Sequence, residues 1–429
     1  MMDTDRLDAE LAAIDRISAP DAWAVAAYRT AVARSESAGG PADLESSLAL
    51  LERAAELLTA ARSPIEHGRL LTAAANCHRL LGRPDRAAEL FERAAGLIVE
   101  RVPPIERAAT LANQGLAQID VGRPTEAIEL LTRAIEFVAD QHGDEAGRVH
   151  GAALVNRAQA HQSVADPASL KASIEDYRHA LDFFDPGSPQ SGMALHGSGA
   201  AMMELLRGGH DPVLVDEAID AFSRSLRILT VNSFPFQHAV VQHSLALAYE
   251  RRAGPLDRAR AMACVETAMS MFDPRVHQAQ WRTAASALER IERALEESRP
   301  GASRPDHFVW LLAATTVDER GGLLRERLLP LSRQPVARVE RALGELTVAL
   351  TALNEEEYTV VVRSLIPVLM ELPDVVLESA CASLCAAHQA TDDVAAYDGA
   401  LDELIHELLH GPQRVRVRDL LETFGWTRP

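Results

Sequence analysis

Near the C-terminal end of the chain, His406-Glu407-Leu408-Leu409-His410 matches the pattern H-E-x-x-H. Two histidines four residues apart on one helix can ligate zinc, and the glutamate between them can serve as general base toward a metal-bound water. The neighbouring residues argue against that chemistry. Gln413 and Arg416 stand where a metzincin continuation would place glycine and histidine, and Glu422 is the only glutamate downstream. A histidine such as His410 in a last helical turn is also favoured by the helix dipole alone. A second cluster, Cys381, Cys385 and His388, has spacings of four and three and falls on one helical face. Metal ligation or thiol redox chemistry is geometrically possible there, shared with His406 and His410 if the two helices pack antiparallel. The same residues, with Leu377 and Leu384, form an ordinary core stripe, and free cysteine is among the most buried residue types. The reading therefore holds His406, His410, Cys381, Cys385 and His388 as weak metal candidates. It expects no catalytic residue and no cofactor.

Other chemistries fail on residue type. Lys171 is the only lysine, and it sits in Ser169-Leu170-Lys171-Ala172 with no glycine before it. A P-loop is thereby excluded, and Schiff-base catalysis is disfavoured. In His196-Gly197-Ser198-Gly199-Ala200 no glycine precedes the serine at the offset of a nucleophile elbow. With no strand beside it, Gly197-Ser198-Gly199 reads as a place of close helix packing. His142, His150 and His161 share no metal spacing and read as surface or groove residues.

The elements that must carry these residues are helices. The 429 residues are 47% hydrophobic with 4% aromatic, and strong helix formers dominate almost every segment. Alternating β-branched runs are nearly absent, so no sheet is expected. The charge balance is 43 basic against 62 acidic residues, a net of -19. Such a chain is repelled by nucleic acid, and its aromatic content offers few stacking platforms. No apolar run approaches the length needed to span a bilayer. The start, Met1-Met2-Asp3-Thr4-Asp5-Arg6, leads into no signal-peptide core, and the four cysteines lack an extracellular framework. A reduced, cytoplasmic setting is expected.

Within this helical chain one pattern recurs. A small residue is followed by a bulky one four positions later and a small one three after that. The copies are Ala87/Phe91/Ala94, Ala127/Leu131/Ala134, Ser173/Tyr177/Ala180, Ala218/Phe222/Ser225 and Ala261/Val265/Ala268, with a weaker Ser47/Leu51/Ala54 before them. This spacing sets all three residues on one helix face, where the small ones admit a neighbouring helix and the large one fills the gap. Helix stops punctuate the copies at Gly82-Arg83-Pro84, Gly122-Arg123-Pro124, Asp185-Pro186-Gly187 and Asp273-Pro274.

The pattern resembles the tetratricopeptide repeat. Ala75, His78, Gly82, Ala87, Phe91 and Ala94 occupy the family's small, glycine-turn and Ala/aromatic/Ala places, and Gly115, Gln118, Gly122, Ala127, Leu131 and Ala134 do so in the next unit. His78 and Gln118 replace the family's usual tyrosine, and the copies lie about 40–46 residues apart against the usual 34 or so. The resemblance covers about residues 21–275 at the level of the TPR-like superfamily. It implies an all-α solenoid of helical hairpins.

The expected organisation is an N-terminal helix over 1–20, a repeat array of about six helix pairs over 21–297, a linker over 298–306 and a C-terminal α-helical domain over 307–429. The linker reading rests on Ser298-Arg299-Pro300-Gly301-Ala302-Ser303-Arg304-Pro305-Asp306, whose composition is that of a connection. In the last region Asn354-Glu355-Glu356-Glu357 reads as a capping box, Pro367 as a helix kink, Leu372-Pro373-Asp374 as a helix start and Gly411-Pro412 as a helix stop. Stacked hairpins present a groove suited to extended peptides or partner helices. Arg69, Asn76, Arg79, Asn113, Asn156 and Arg157 are the polar candidates for that groove, and their chemistry favours an acidic partner peptide. The functional expectation is a cytoplasmic interaction scaffold or adaptor with a protein or peptide partner, no nucleic acid and no membrane. The alternatives are a zinc hydrolase built on His406, Glu407 and His410, and a regulatory sensor of a peptide or small ligand.

Overall fold

In the computed structural model, residues 2–36, 40–98, 100, 102–209, 211–254 and 256–426 are described. Among them every regular element is helical, and they fall into two compact units, Met1–Asp211 and Pro212–Pro429.

The first unit comprises α1 (Met2–Ala13), α2 (Pro20–Glu36), α3 (Pro41–Leu57), α4 (Pro64–Leu80), α5 (Pro84–Ile98), α6 (Pro104–Asp120), α7 (Pro124–Val138), α8 (Asp144–Val164), α9 (Pro167–Ala180) and α10 (Pro189–Leu205). Proline opens each of these from α2 onward except α8. Its fixed φ suits the first helical position, and its missing N–H is one that a helix start leaves unpaired anyway. Hairpins form as α2 on α3, α4 on α5, α6 on α7 and α8 on α9. The first helices of successive hairpins also touch, α2 to α4, α4 to α6 and α6 to α8. The turns inside two hairpins are set by glycine. Gly82 and Gly122 adopt φ of 70° and 77°, and Arg83 N–H and Arg123 N–H reach back to the carbonyls of His78 and Gln118 at 2.9 and 2.8 Å. Both are helix C-caps in which only glycine enters the left-handed region without strain.

The small/large/small triplets are the packing core of each hairpin. Ala87, Phe91, Ala94, Ala127, Leu131 and Ala134 are wholly buried. The large member fits where the facing helix has no side chain. A Cβ on Gly115 would lie 2.6 Å from Leu131 Cγ, and one on Gly197 would lie 2.4 Å from Tyr177 Cζ. Gly197 thus serves close helix packing, as its sequence context indicates.

The second unit comprises α11 (Pro212–Ile228), α12 (Pro235–Arg252), α13 (Asp257–Met271), α14 (Gln278–Ser298), α15 (Arg304–Ala314), α16 (Val317–Leu331), α17 (Val336–Leu350), α18 (Glu355–Met370), α19 (Asp374–Gln389), α20 (Val394–Leu408) and α21 (Gly411–Thr423). Helices α11 to α13 pack in sequence and bury the triplets Ala218/Phe222/Ser225 and Ala261/Val265/Ala268. From α15 onward each helix also packs on the next but one: α15 on α17, α16 on α18, α17 on α19, α18 on α20 and α19 on α21. This two-layer arrangement encloses a core that includes Phe308, Leu324, Leu343, Tyr358, Leu365 and Leu404. The segment 298–306 runs from the end of α14 into α15 within this unit, and Ser303 and Asp306 form a capping box at the start of α15. Asn354 and Glu357 form the capping box at α18 that the sequence indicates, with Glu357 N–H to Asn354 Oδ1 at 2.9 Å. Pro367 lies inside α18.

The Gly115–Leu131 contact makes a testable demand. Gly115→Val should overpack the α6–α7 crossing and cost about 2–3 kcal/mol. Gly96→Ala, in α5 with no atom near its added Cβ, should stabilise by up to about 1 kcal/mol. Thermal or chemical denaturation of both variants checks this, and a Gly115→Val chain as stable as the parent would refute the packing.

Candidate functional site

The polar residues on the first helices of the hairpins do not form an open cationic groove. Arg69 of α4 donates to Glu106 of α6 through Nε and Nη2 at 2.6 and 2.8 Å. The hydrogen bond to Glu106 raises the Arg69 guanidinium above its ordinary range, against the opposing effect of burial. Arg79 of α4 lies 3.9 Å from the Asp120 carboxylate at the end of α6. Arg157 of α8 makes a two-pronged contact with Asp176 of α9 at 2.8 and 2.6 Å and a third bond to Thr132 Oγ1 at 3.2 Å. The three arginines expected to receive an acidic partner are therefore committed to carboxylates of their own unit. Asn76 and Asn113 are half-buried on α4 and α6, and Asn156 lines the cleft described next.

That cleft, of about 850 Å³, lies between α8 and α10. Its outer wall is the chain that follows α9, a turn of 3-10 helix at Leu181–Phe183 and the bend through Asp185 and Ser188. The bend is pinned by Ser191 Oγ donating to the Asp185 carbonyl at 2.7 Å, while Ser188 Oγ accepts from Ser191 N–H at 3.3 Å as the N-cap of α10. Gly151 lets the wall close on α8, since a Cβ there would lie 2.6 Å from the Phe184 ring. His150 stacks on Phe183 with ring centroids 4.1 Å apart. Burial, followed by the nearby Arg157 charge, holds the His150 imidazole below its ordinary range. Two large apolar side chains stay open to solvent at the cleft, Phe183 at 37% and Met193 at 46% exposure. Around them stand the carboxylates of Asp144, Asp182 and Asp185 and the guanidinium of Arg148. Of the sequence candidates, only Asn156 reaches this place. His150 reads in the sequence as a surface or groove residue, whereas Asp182, Phe183 and Met193 carry no repeat signature. The one local signal is the bend Asp185-Pro186-Gly187.

In the second unit α16 packs against α12 and α13. Glu326 accepts from Gln242 at 2.8 Å and pairs with His238 Nε2 at 2.6 Å, and Arg260 donates to Glu319 at 2.6 Å. Arg327 pairs with Glu266, and Arg333 donates to Asn232 Oδ1 at 2.8 Å.

The H-E-x-x-H residues do not share a helix. α20 ends at Leu408, and His410 has extended backbone as the N-cap of α21. Gly411-Pro412 opens a helix here and does not close one, because proline suits a first turn. Arg414 of α21 donates to the His406 and Leu409 carbonyls at 2.8 Å each, capping the end of α20. Glu407 pairs with Arg363. The two histidines therefore lack the one-turn relation that zinc ligation by this motif requires.

Cys381, Cys385 and His388 do share one face of α19, and all three are buried. Burial pushes the Cys381 thiol up to about 12 and the Cys385 thiol up to about 11. Both ring nitrogens of His388 are used. Nδ1 donates to Asp398 at 2.9 Å, and Nε2 accepts from the Tyr358 hydroxyl at 2.6 Å. Among the described residues no group of three His, Cys, Asp or Glu side chains is placed to hold a metal ion. The Tyr358–His388–Asp398 network joins three helices, and nothing in the local spacing of these residues announces it.

Burial depresses several imidazoles. It holds His196 down at about 4, and it lowers His161, His243, His307 and His388 as well. The unfolded chain then takes up protons near pH 6.5 that the folded chain refuses, so this contribution to stability falls as pH drops from about 6.5 toward 4. Melting curves at pH values from about 7.5 to 5 should show a falling midpoint, and His196→Gln should recover part of the fall. The His196 share is about 3 kcal/mol at most. An unchanged slope in that variant would refute the assignment. His388→Ala should cost about 3 kcal/mol, because it strands the Tyr358 hydroxyl and the Asp398 carboxyl in the core.

Comparison with known proteins bears on the fold. The family model for soluble NSF attachment protein, SNAP, matches residues 47–204, which is under half of the chain. No curated protein matches. Among solved structures, the kinesin light chain TPR-like repeats of Podosopora anserina align at 18% identity over 56% of this chain and 99% of that one, with a TM-score of 0.36. BtubC from P. vanneervenii aligns at 17% identity over 62% and 94%, with a TM-score of 0.41. A signal transduction ATPase with a tetratricopeptide repeat sensor from Pyrococcus horikoshii aligns at 13% identity over 88% of this chain and 54% of that one, with a TM-score of 0.37. By its repeated helical hairpins, its glycine turns and its buried small/large/small triplets, the chain has a TPR-like helical-repeat fold.

Proposed function

We propose that this protein is an interaction scaffold whose partner, a peptide or a helix of another protein, binds in the cleft between α8 and α10. TPR-like repeats mediate protein–protein interaction in general. One observation carries the location: this cleft of about 850 Å³ leaves Phe183 and Met193 open to solvent beside three exposed carboxylates. An apolar surface exposed inside a concave, polar-rimmed site is the usual form of a binding surface. The adaptor reading is further supported by the separation of His406 from His410 and by the burial of all four cysteines, each of them a free thiol. Free thiols and an acidic surface suit a reducing, cytoplasmic setting. No helix among the described residues is long and apolar enough to cross a membrane.

The proposal is tested by recovering partners with the full chain and with two variants. Met193→Asn removes apolar surface without adding charge and should sharply weaken partner recovery, while circular dichroism stays unchanged. Glu407→Gln should leave recovery intact. Partners retained in full by Met193→Asn, or a cellular phenotype produced by Glu407→Gln with binding intact, would overturn this reading.

A further inference from the structure

We infer that the cleft between α8 and α10 selects a cationic, apolar segment of its partner, laying a lysine or arginine over the accessible part of the Phe183 ring and an apolar side chain against Met193. The inference rests on the reading that this cleft is the partner site and adds the chemistry of the partner. It reverses the preference for an acidic peptide that the groove arginines suggest in the sequence.

Charge supports it first. Arg69, Arg79 and Arg157 are matched by Glu106, Asp120 and Asp176. At the cleft the balance is different: Asp144, Asp182 and Asp185 face a single guanidinium, that of Arg148. All three carboxylates are exposed, and no ion pair among the described residues engages them. An acidic segment would be repelled there, and a basic one would supply the missing counter-charge. The ring chemistry agrees. His150 stacks on Phe183 at 4.1 Å and 22°, which orients the ring, and Phe183 as a residue stays 37% exposed. A cation over the accessible part of the ring gains from its quadrupole. Burial and the nearby Arg157 charge disfavour the protonated form of His150. The apolar part of the partner is set by Met193, whose flexible thioether adapts to varied side chains. The net charge of -19 steers a basic partner toward the protein as a whole, so the test must separate the cleft from that general attraction.

The experiment uses the full chain and two labelled peptides of about four helical turns. One carries lysine, arginine and leucine in amphipathic register, and the other has glutamate in every basic place. Fluorescence anisotropy at fixed salt should show binding of the basic peptide only. Asp182→Lys with Asp185→Lys should weaken it by about tenfold or more. Glu129→Lys with Glu136→Lys, the same charge change on exposed positions of α7, should change it by less than about twofold. Phe183→Leu keeps apolar volume but removes the ring, and should weaken binding by about threefold. Absence of binding by the basic peptide overturns the inference, and so does equal weakening by the two charge reversals. Equal binding of the glutamate peptide, abolished by Met193→Asn, overturns the inference and leaves the cleft as the partner site. If Met193→Asn alters the binding of neither peptide, both readings fall.

Discussion

The first unit depends on how closely two helices can approach. Where Leu131 of α7 meets α6, it rests over Gly115 at a distance that leaves no room for a methyl group. Tyr177 does the same over Gly197, and Ile98 over Gly68. Flanking alanines such as Ala127 and Ala134 are wholly buried because the opposite backbone is so near. Dense packing of this kind is unforgiving of a single added carbon. It also lets hairpins repeat with few aromatic residues, because the crossing is filled by one large side chain set against an absence. The cleft obeys the same rule. Phe184 reaches α8 over Gly151, and that contact holds the outer wall on which Phe183 stands.

The second constraint is the pairing of charge between neighbouring helices. Arginines on one helix are matched by carboxylates on a helix packed against it, as with Arg69 and Glu106, Arg157 and Asp176, or Arg260 and Glu319. Isolated exposed pairs add little stability. The less exposed ones fix register, because a two-pronged guanidinium–carboxylate contact tolerates little rotation. The chain has more acids than bases, so some carboxylates must go without a partner. Asp144, Asp182 and Asp185 are three of them, gathered at one cleft beside exposed apolar groups. Carboxylates scattered on an outer face would simply be solvated. Beside Phe183 and Met193 they become a filter on what the apolar surface can accept.

The fold was legible in the sequence to a considerable depth. The triplets, the glycine turns at Gly82 and Gly122, the Asn354–Glu357 box and the helix start after Pro373 are local patterns, and local patterns are what a sequence displays. Gly411-Pro412 opens a helix where the sequence suggests a stop, because a Gly-Pro pair punctuates a chain without saying which side is helical. Here Arg414 ends α20 from beyond the pair. The candidate site was less legible. The charges of Arg69 and Arg157 are matched by carboxylates 37 and 19 positions away, which no local pattern announces. Phe183 and Met193 owe their importance to exposure, which no spacing rule reports. Of the polar groove candidates, Asn156 is the one that lines the cleft.

The H-E-x-x-H match and the buried histidine network show opposite sides of one point. In the first, the residue types suit zinc chemistry, but the chain turns between them, and Arg363 takes the glutamate. In the second, Tyr358, His388 and Asp398 are far apart in sequence and meet in an arrangement that polarises an imidazole. Chemistry needs accessible groups as well as suitable ones. Tyr358 is fully buried and His388 nearly so, with both nitrogens engaged, so the network holds the core of α18, α19 and α20 together. At the cleft, by contrast, Phe183 and Met193 are exposed beside three carboxylates that no ion pair among the described residues engages. Exposed apolar area and unpaired charge together describe a surface that a partner completes, which is why the α8–α10 cleft, and not either histidine cluster, is where function is sought.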